Sequence, residues 1–131
     1  MAQRNFDNNN LHDRVIAEIV NVLNQEEHDV YTNPGNEKNA GIVGNYPDVV
    51  MTEKGGTTVK FILEIETSDS ITLIEANEQW KKYANEIKAT FYIVVPESSL
   101  QKAKELCQQV GVNTRFATYS LDNNNINFNF R

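Results

Sequence analysis

Two short apolar runs separated by a pair of glycines restrict the fold of this chain more than any other feature. Residues 47–51 read Pro-Asp-Val-Val-Met, and residues 59–67 read Val-Lys-Phe-Ile-Leu-Glu-Ile-Glu-Thr, with Gly55 and Gly56 between them. Val, Ile and Phe favour strands, and a Gly-Gly pair between two such runs is typical of a β-hairpin. The sequence therefore predicts two adjacent antiparallel strands joined by a turn at 54–56.

The acidic residues of both runs are predicted to share one face of this hairpin. Successive strand residues point to opposite faces, so the second run divides into two sets: Val59, Phe61, Leu63 and Ile65 against Lys60, Ile62, Glu64 and Glu66. Glu64 and Glu66 are then roughly 7 Å apart on one face. A hairpin that pairs residues 54 and 58 places Asp48 opposite Glu64, so that three carboxylates meet.

Three neighbouring carboxylates allow two interpretations. They repel one another unless a cation lies among them, and a hard divalent ion such as Mg²⁺ or Mn²⁺ prefers oxygen ligands of this kind. The same pattern also fits a hairpin whose acidic outer face is simply solvated. The residues alone leave both interpretations open.

Length and charge are those of one ordinary globular domain. The 131 residues suffice for a single core, and we expect a flexible N-terminus at 1–10 followed by one domain at 11–131. The formal net charge of −6 provides no general attraction to nucleic acid. A single cysteine, Cys107, and the lack of an apolar run of about 18 residues lead us to expect a cytoplasmic protein that does not enter a membrane.

The first helix is predicted from about Leu11 to Gln25, where apolar residues recur at helical spacing after an Asn9 or Asn10 cap. Glu18 lies just beyond the edge of the apolar face and can join the carboxylates or face water. His12 projects near the middle of that face, where a partly buried core or capping residue is commoner than a ligand or general base.

A second helix is predicted over 72–88, after a short strand at 28–32 and a long loop at 33–46. Thr72 and Glu75 fit a capping box. Gln79 and Tyr83 are four residues apart on one flank of the buried stripe, so both can face a neighbouring element or form an inert boundary layer. The lysines at 81, 82 and 88 are expected to point to solvent.

The C-terminal third alternates strands and a helix. Residues 90–95 fit a strand buried on both faces, 98–110 a helix with Cys107 inward, and 112–119 and 126–130 two further strands, the last at a sheet edge. This order predicts an α/β (α+β) protein with a mixed sheet covered by helices. No phosphate-binding glycine loop, zinc spacing or Ser/His/Asp set accompanies it.

Pro47-Asp48, Glu64-x-Glu66 on the next strand and Gln79-x-x-x-Tyr83 on the following helix together resemble the motifs of the PD-(D/E)XK nuclease superfamily. The resemblance covers roughly residues 11–96. It implies a restriction-endonuclease-like αβββαβ core, here with an additional C-terminal helix and strands.

The resemblance implies a role for each matching residue. Asp48 and Glu64 would hold Mg²⁺ or Mn²⁺, Ile65 would contribute its backbone carbonyl, and Glu18 matches an acidic residue that some members place on the first helix. Gln79 and Tyr83 would help to position nucleic acid, DNA more than RNA.

Glu66 departs from the superfamily pattern, because most members have lysine there. Glutamate cannot supply positive charge, but it can orient or deprotonate water, or act as an extra metal ligand. Lys60 is too far away to substitute, at roughly 13 Å along the strand, and Lys81 and Lys82 are expected to point elsewhere.

The resemblance thus predicts a metal-dependent endonuclease that hydrolyses phosphodiesters. A homodimer, or a protein partner with a basic surface, would offset the acidic net charge. Two alternatives stay open: a nuclease-like fold that serves as a binding or assembly module without cutting, and an unrelated α/β interaction protein.

Overall fold

Six strands form one mixed sheet in a computed structural model that describes residues 4–35, 38–42 and 44–131. The strands are β1 (His28–Thr32), β2 (Val49–Glu53), β3 (Val59–Ile65), β4 (Thr90–Pro96), β5 (Arg115–Asp122) and β6 (Asn125–Phe130). They lie side by side in chain order. β3, β4 and β5 are parallel, and the other neighbours are antiparallel. The predicted α/β class with a mixed sheet is confirmed.

Helices cover both faces of the sheet. On one face lies α1 (Phe6–Ile19), which continues as a 3₁₀ turn at Val20–Val22. On the other lie a helix formed by α2 (Leu73–Glu75), a π turn (Ala76–Trp80) and α3 (Lys81–Glu86), together with α4 (Leu100–Val110). Each face therefore has its own apolar core.

The hairpin register confirms the main sequence prediction. Val49 pairs with Leu63 and Val50 with Ile62, and continuing this register places Asp48 opposite Glu64. A bulge between Met51 and Thr52 shifts the pairing by one residue nearer the turn, so the predicted pairing of 54 with 58 is wrong. Beyond the bulge Val59 packs with Val50 and Ile62 rather than with Leu63, contrary to the simple alternation.

The first helix begins earlier than predicted. Asn5 is its N-cap and accepts a hydrogen bond from the Asn8 N–H at 2.8 Å, while the Asn5 N–H donates to Asp69 at 2.8 Å. The predicted helix start at Leu11 and the predicted cap at Asn9 or Asn10 are therefore wrong, and residues 1–3 of the predicted flexible N-terminus lie outside the described part of the chain. The helix ends near Val22, earlier than Gln25, because Leu23 is already extended.

The second predicted helix is present, with one irregular turn. The Thr72 side chain caps it by accepting from the Glu75 N–H at 3.2 Å, as predicted. The π turn at Ala76–Trp80 inserts an extra residue, a feature often found at functional sites. Leu73 at the start of this helix is 42% exposed, whereas Trp80 is fully buried.

The C-terminal third has the predicted order of elements, but the strand predicted at 112–119 lies at Arg115–Asp122. α4 ends at Gly111, whose φ of 75° suits the left-handed C-cap that glycine favours. Cys107 is buried, and burial raises the pKa of its thiol to about 11, which fits an inert core residue. β6 is an edge strand of the described sheet.

Candidate functional site

Asp48 and Glu64 interlock at the start of the hairpin. The Asp48 N–H donates to Glu64 Oε1 at 3.0 Å, and the Ile65 N–H donates to Asp48 Oδ2 at 2.7 Å. Both carboxylates are almost fully buried, so the interpretation of an acidic, solvated outer face is wrong. The helix at 73–86 covers this face of the sheet, and two buried acids therefore lie side by side beneath it.

His12 of α1 completes the surroundings of Asp48. Its Nε2 lies 3.0 Å from Asp48 Oδ2 and its Nδ1 lies 3.0 Å from Asp13 Oδ1. Burial alone would lower the pKa of His12, but the hydrogen bond to Asp48 and the negative charge of that residue raise it overall. His12 thus faces a carboxylate on each side, a role that its place on an apolar helix face did not indicate.

Glu66 lies deeper than predicted. It accepts hydrogen bonds from Arg4 at 3.1 Å, from the Ser70 hydroxyl at 2.6 Å and from the Trp80 indole at 2.8 Å. The residue is fully buried. A carboxylate so enclosed has little access to water, so its position does not support the predicted role of orienting or deprotonating one.

Arg4 is the cation that sequence reasoning missed. Its guanidinium bridges Glu66, the Ile65 carbonyl at 2.9 Å and the Thr67 hydroxyl at 3.1 Å, and its side chain is only 9% exposed. No periodic pattern surrounds position 4, so only the need of a buried glutamate for a counter-charge could have indicated it. The Ile65 carbonyl, implied as a metal ligand, is bound to this arginine instead.

Glu75 is the second residue that sequence reasoning missed. One carboxylate oxygen from each of Glu64, Glu66 and Glu75 lies within 4.8 Å of the others, a buried cluster that could hold a metal ion. Glu75 was interpreted only as a helix-capping residue. Its position four residues before Gln79 and eight before Tyr83 was a usable signal, because that spacing puts all three on one helix face.

Burial and mutual repulsion disfavour ionisation throughout this cluster. Burial, reinforced by the neighbouring acids, raises the pKa of Glu64 well above its ordinary value and that of Glu75 to about 9. Burial also raises the pKa of Glu66, although hydrogen bonds and Arg4 counteract it. The acids favour a shared proton or a bound cation over full ionisation.

Asp48, Glu64 and Glu75 lie at the bottom of a cleft of about 460 Å³ between the helix at 73–86 and the loop before β2. Its lining residues are Arg4, His12, Asn33, Gly35, Lys38, Gly44, Asn45, Tyr46, Asp48, Glu64, Glu75, Glu78, Gln79, Lys82 and Tyr83. The predicted pair Gln79 and Tyr83 therefore faces the acids. Burial, with the nearby carboxylates, raises the pKa of the Tyr83 hydroxyl.

Lys82 also lines the cleft, so the prediction that it points away from Gln79 and Tyr83 is wrong. It follows Glu78 by four residues and Glu75 by seven, which keeps it on the cleft side of the helix. Lys60 is exposed on β3 and lies outside the cleft, as expected.

Glu18 is not brought to the acids. Its carboxylate lies 4.0 Å from the Arg14 guanidinium, and its side chain is 43% exposed. Of the two interpretations left open for Glu18, the structure favours the one in which it faces water.

No protein-family model, curated protein or solved structure matches this chain. Among the described residues, no helix is both long enough and apolar enough to cross a membrane.

Proposed function

We propose that the protein is a metal-dependent phosphodiesterase of nucleic acid with a restriction-endonuclease-like core. The order of α1, β1, β2, β3, the helix at 73–86 and β4 agrees with the αβββαβ arrangement that the motif resemblance implies. The observation that carries the proposal is the interlocked pair Asp48 and Glu64 at the bottom of a cleft that also contains Gln79, Tyr83 and Lys82.

The donor set suits a hard divalent ion. Asp48, Glu64 and Glu75 offer only carboxylate oxygens, which Mg²⁺ and Mn²⁺ prefer. Burial, reinforced by the neighbouring acids, raises the pKa of Glu64 and Glu75, and a bound cation would offset the cost of ionising them. The Ile65 carbonyl and Glu18 are left out of this set, because the first binds Arg4 and the second faces solvent. When bound, Mg²⁺ would polarise the phosphate and make a bound water more acidic.

Side chains of the protein would stabilise charge on the phosphate and position the reacting groups. Glu75, next to Glu64, would serve as a ligand of the ion and not as the base predicted at Glu66, because its pKa of about 9 keeps it protonated when no cation is bound. The water made more acidic by the ion would then lose its proton to solvent. Lys82 would stabilise negative charge on the phosphate, and Gln79 would orient it. Glu66 would act as a positioning residue that fixes Arg4 and Trp80 through its hydrogen bonds.

A nuclease assay tests this proposal. The wild type is incubated with labelled DNA and RNA, single-stranded and duplex, in Mg²⁺, Mn²⁺ or EDTA. We expect cleavage that needs the metal and that falls to background in Asp48→Asn and Glu64→Gln, which keep the size of each side chain. Glu18→Gln is the matched control because it removes an acid outside the cleft.

Circular dichroism of each variant separates loss of activity from loss of fold. Cleavage that survives EDTA, or that Glu18→Gln impairs as strongly as Glu64→Gln does, contradicts the proposal. So does the absence of cleavage in every metal.

A second candidate is a nuclease-like module that binds without cutting. The Arg4–Glu66 contact favours this candidate, because a buried ion pair occupies the position where most members of the superfamily have a free lysine. This candidate predicts a melting temperature that rises with Mn²⁺ in the wild type, less so in Glu64→Gln, while no substrate is cut.

A further inference from the structure

The cleft divides into an acidic floor and a cationic, aromatic mouth. Asp48, Glu64 and Glu75 are buried at its floor, whereas Lys38, Tyr46 and Lys82 are exposed at its rim. Lys38 and Tyr46 belong to the loop before β2, and Lys82 belongs to α3 across the cleft. A ligand on the floor is therefore flanked by one cation on each side.

The loop that carries Lys38 and Tyr46 is held in place by a buried asparagine. The Asn33 amide donates to the Pro47 carbonyl at 2.7 Å and to the Ala40 carbonyl at 2.8 Å. Tyr46 packs directly on Gly41, where an added Cβ would lie 2.7 Å from the ring. Lys38 Nζ lies 5.2 Å from the centre of the same ring. A cation and an aromatic ring are thus presented together.

The size of the cleft limits what can reach the acids. A volume of about 460 Å³ corresponds to a cube with an edge of about 8 Å, and it falls in the range of pockets that hold small ligands. One nucleotide unit fits a cleft of this volume.

The charge of the protein is an independent reason to expect a single strand and not a duplex in the cleft. Nonspecific affinity for a duplex comes from Lys and Arg contacts to phosphates, about 6–10 of them in a strongly salt-dependent protein, yet the lysines at this rim, among the described residues, are Lys38 and Lys82. The net charge of −6 opposes wider electrostatic contact with a duplex. Two lysines and one exposed aromatic ring match instead the combination of backbone cations and stacking rings found in single-strand binders.

We propose that the cleft takes an unpaired nucleic-acid strand, with neighbouring phosphates on Lys38 and Lys82 and a base against Tyr46. This inference deepens the proposed function and rests on it for the chemistry at Asp48 and Glu64. The recognised group is an unpaired phosphodiester strand, which single-stranded DNA and RNA both provide.

Salt-dependent binding tests the inference without requiring cleavage. Fluorescence anisotropy is measured with a labelled oligothymidylate, the matching oligouridylate and a blunt DNA duplex, over a series of sodium chloride concentrations. The wild type is used in EDTA, and Glu64→Gln is used in Mg²⁺. For the single strand, two phosphate contacts predict a slope of log K against log salt of about −1.4.

Matched variants locate the contacts. Lys38→Gln and Lys82→Gln are each expected to reduce the slope by about 0.7, whereas Lys81→Gln, which removes the adjacent lysine outside the cleft, leaves it unchanged. Tyr46→Ala is expected to weaken binding on the order of tenfold. Tyr31→Ala, which removes an exposed tyrosine of β1, has no effect. Comparison of the two oligonucleotides decides between DNA and RNA.

The outcomes separate this inference from the proposed function. Single-strand binding with the expected slopes, but without cleavage in any metal, supports the inference and contradicts the hydrolytic proposal. Preferential binding or cutting of the duplex contradicts the inference and leaves the hydrolytic proposal in place. Absence of binding to either oligonucleotide, or lysine variants with wild-type slopes, overturns the inference.

Discussion

The two faces of β3 are both buried, yet they are buried in different ways. Leu63 and Ile65 point into an apolar core under α1 that holds Val15, Ile16 and Ile19. Glu64 and Glu66 alternate with them and point under the helix at 73–86, where Glu75 joins them. One face gains stability from apolar burial, whereas the other must place acids out of water. Acids buried at alternate positions of a strand cost stability, and such perturbed groups cluster at functional sites.

The largest loss of stability is expected when Arg4, the cation beside the buried acids under the helix at 73–86, is removed. Arg4→Ala leaves Glu66 buried without its counter-charge, and the loss of one partner of a buried pair costs about 3–5 kcal/mol of unfolding free energy. Without Arg4 the pKa of Glu66 rises further, so the native state retains a proton and the cost is larger at alkaline than at acid pH. Urea unfolding at several pH values measures this.

Arg14→Ala is the control for that experiment, since its partner Glu18 is half-exposed and its loss should change stability little. The double variant Arg4→Ala/Glu66→Gln should recover part of the loss, because an amide does not need a counter-charge. An Arg4→Ala cost that does not vary with pH, or no recovery in the double variant, would show that Arg4 acts through packing alone.

The apolar face should respond almost as strongly but without pH dependence. Leu63→Ala removes a buried side chain under α1 and is expected to cost about 2–5 kcal/mol of unfolding free energy. No ionisable group gains or loses a partner, so the cost should be the same at acid and alkaline pH. Urea unfolding beside Arg4→Ala makes the contrast direct, and a strongly pH-dependent Leu63→Ala cost would contradict the separation of the two faces.

Sequence reasoning reached the parts of this fold that depend on local pattern. Strand alternation and the glycine turn gave the hairpin and placed Asp48 beside Glu64, which the register confirms. The helix motif put Gln79 and Tyr83 on the cleft. These predictions succeeded because the relevant residues are neighbours along one element or across one turn.

Tertiary contacts bring in two of the residues that sequence reasoning did not place at the site, whereas Glu75 had a local signal in its helical spacing to Gln79 and Tyr83. Arg4 contacts Glu66 across 62 positions of sequence and His12 contacts Asp48 across 36, so no local periodicity records either contact. The bulge after Met51 and the π turn at Ala76–Trp80 likewise have no distinct local signature.

A third substitution, at the buried residue Glu75, is expected to raise the unfolding free energy, whereas most core substitutions lower it. Burial and the nearby Glu66 raise the pKa of Glu75 from 4.5 to about 9, so the native state keeps a proton that the unfolded chain loses. The unfolding free energy contributed by this group therefore falls as pH rises from 4.5 towards 9. Glu75→Gln removes that dependence and should stabilise the protein by about 1–3 kcal/mol at mildly alkaline pH, with little effect below the lower value.

Chemical unfolding of Glu75→Gln across that pH range checks the expectation, and Glu78→Gln, from the exposed residue three positions along the helix, is the control. A Glu75→Gln variant that is less stable than the wild type at alkaline pH would mean that the carboxylate is ionised and satisfied in the native state. Added Mg²⁺ should stabilise the wild type more than this variant if Glu75 contributes to the proposed metal site.

The smallest effect concerns the histidine that joins the two sides of the sheet. His12 extends from α1 to Asp48 and Asp13, and although burial acts against its charge, the Asp48 hydrogen bond and charge raise its pKa above 6.5. The contribution of His12 to stability is complete below pH 6.5 and is lost as pH rises through the higher native pKa.

His12→Gln should therefore cost about 1 kcal/mol of unfolding free energy at acid pH and less at alkaline pH. An NMR titration of the His12 ring should give a midpoint above 6.5 that decreases in Asp48→Asn. If the midpoint does not move in Asp48→Asn, the charge on His12 does not depend on the acidic face.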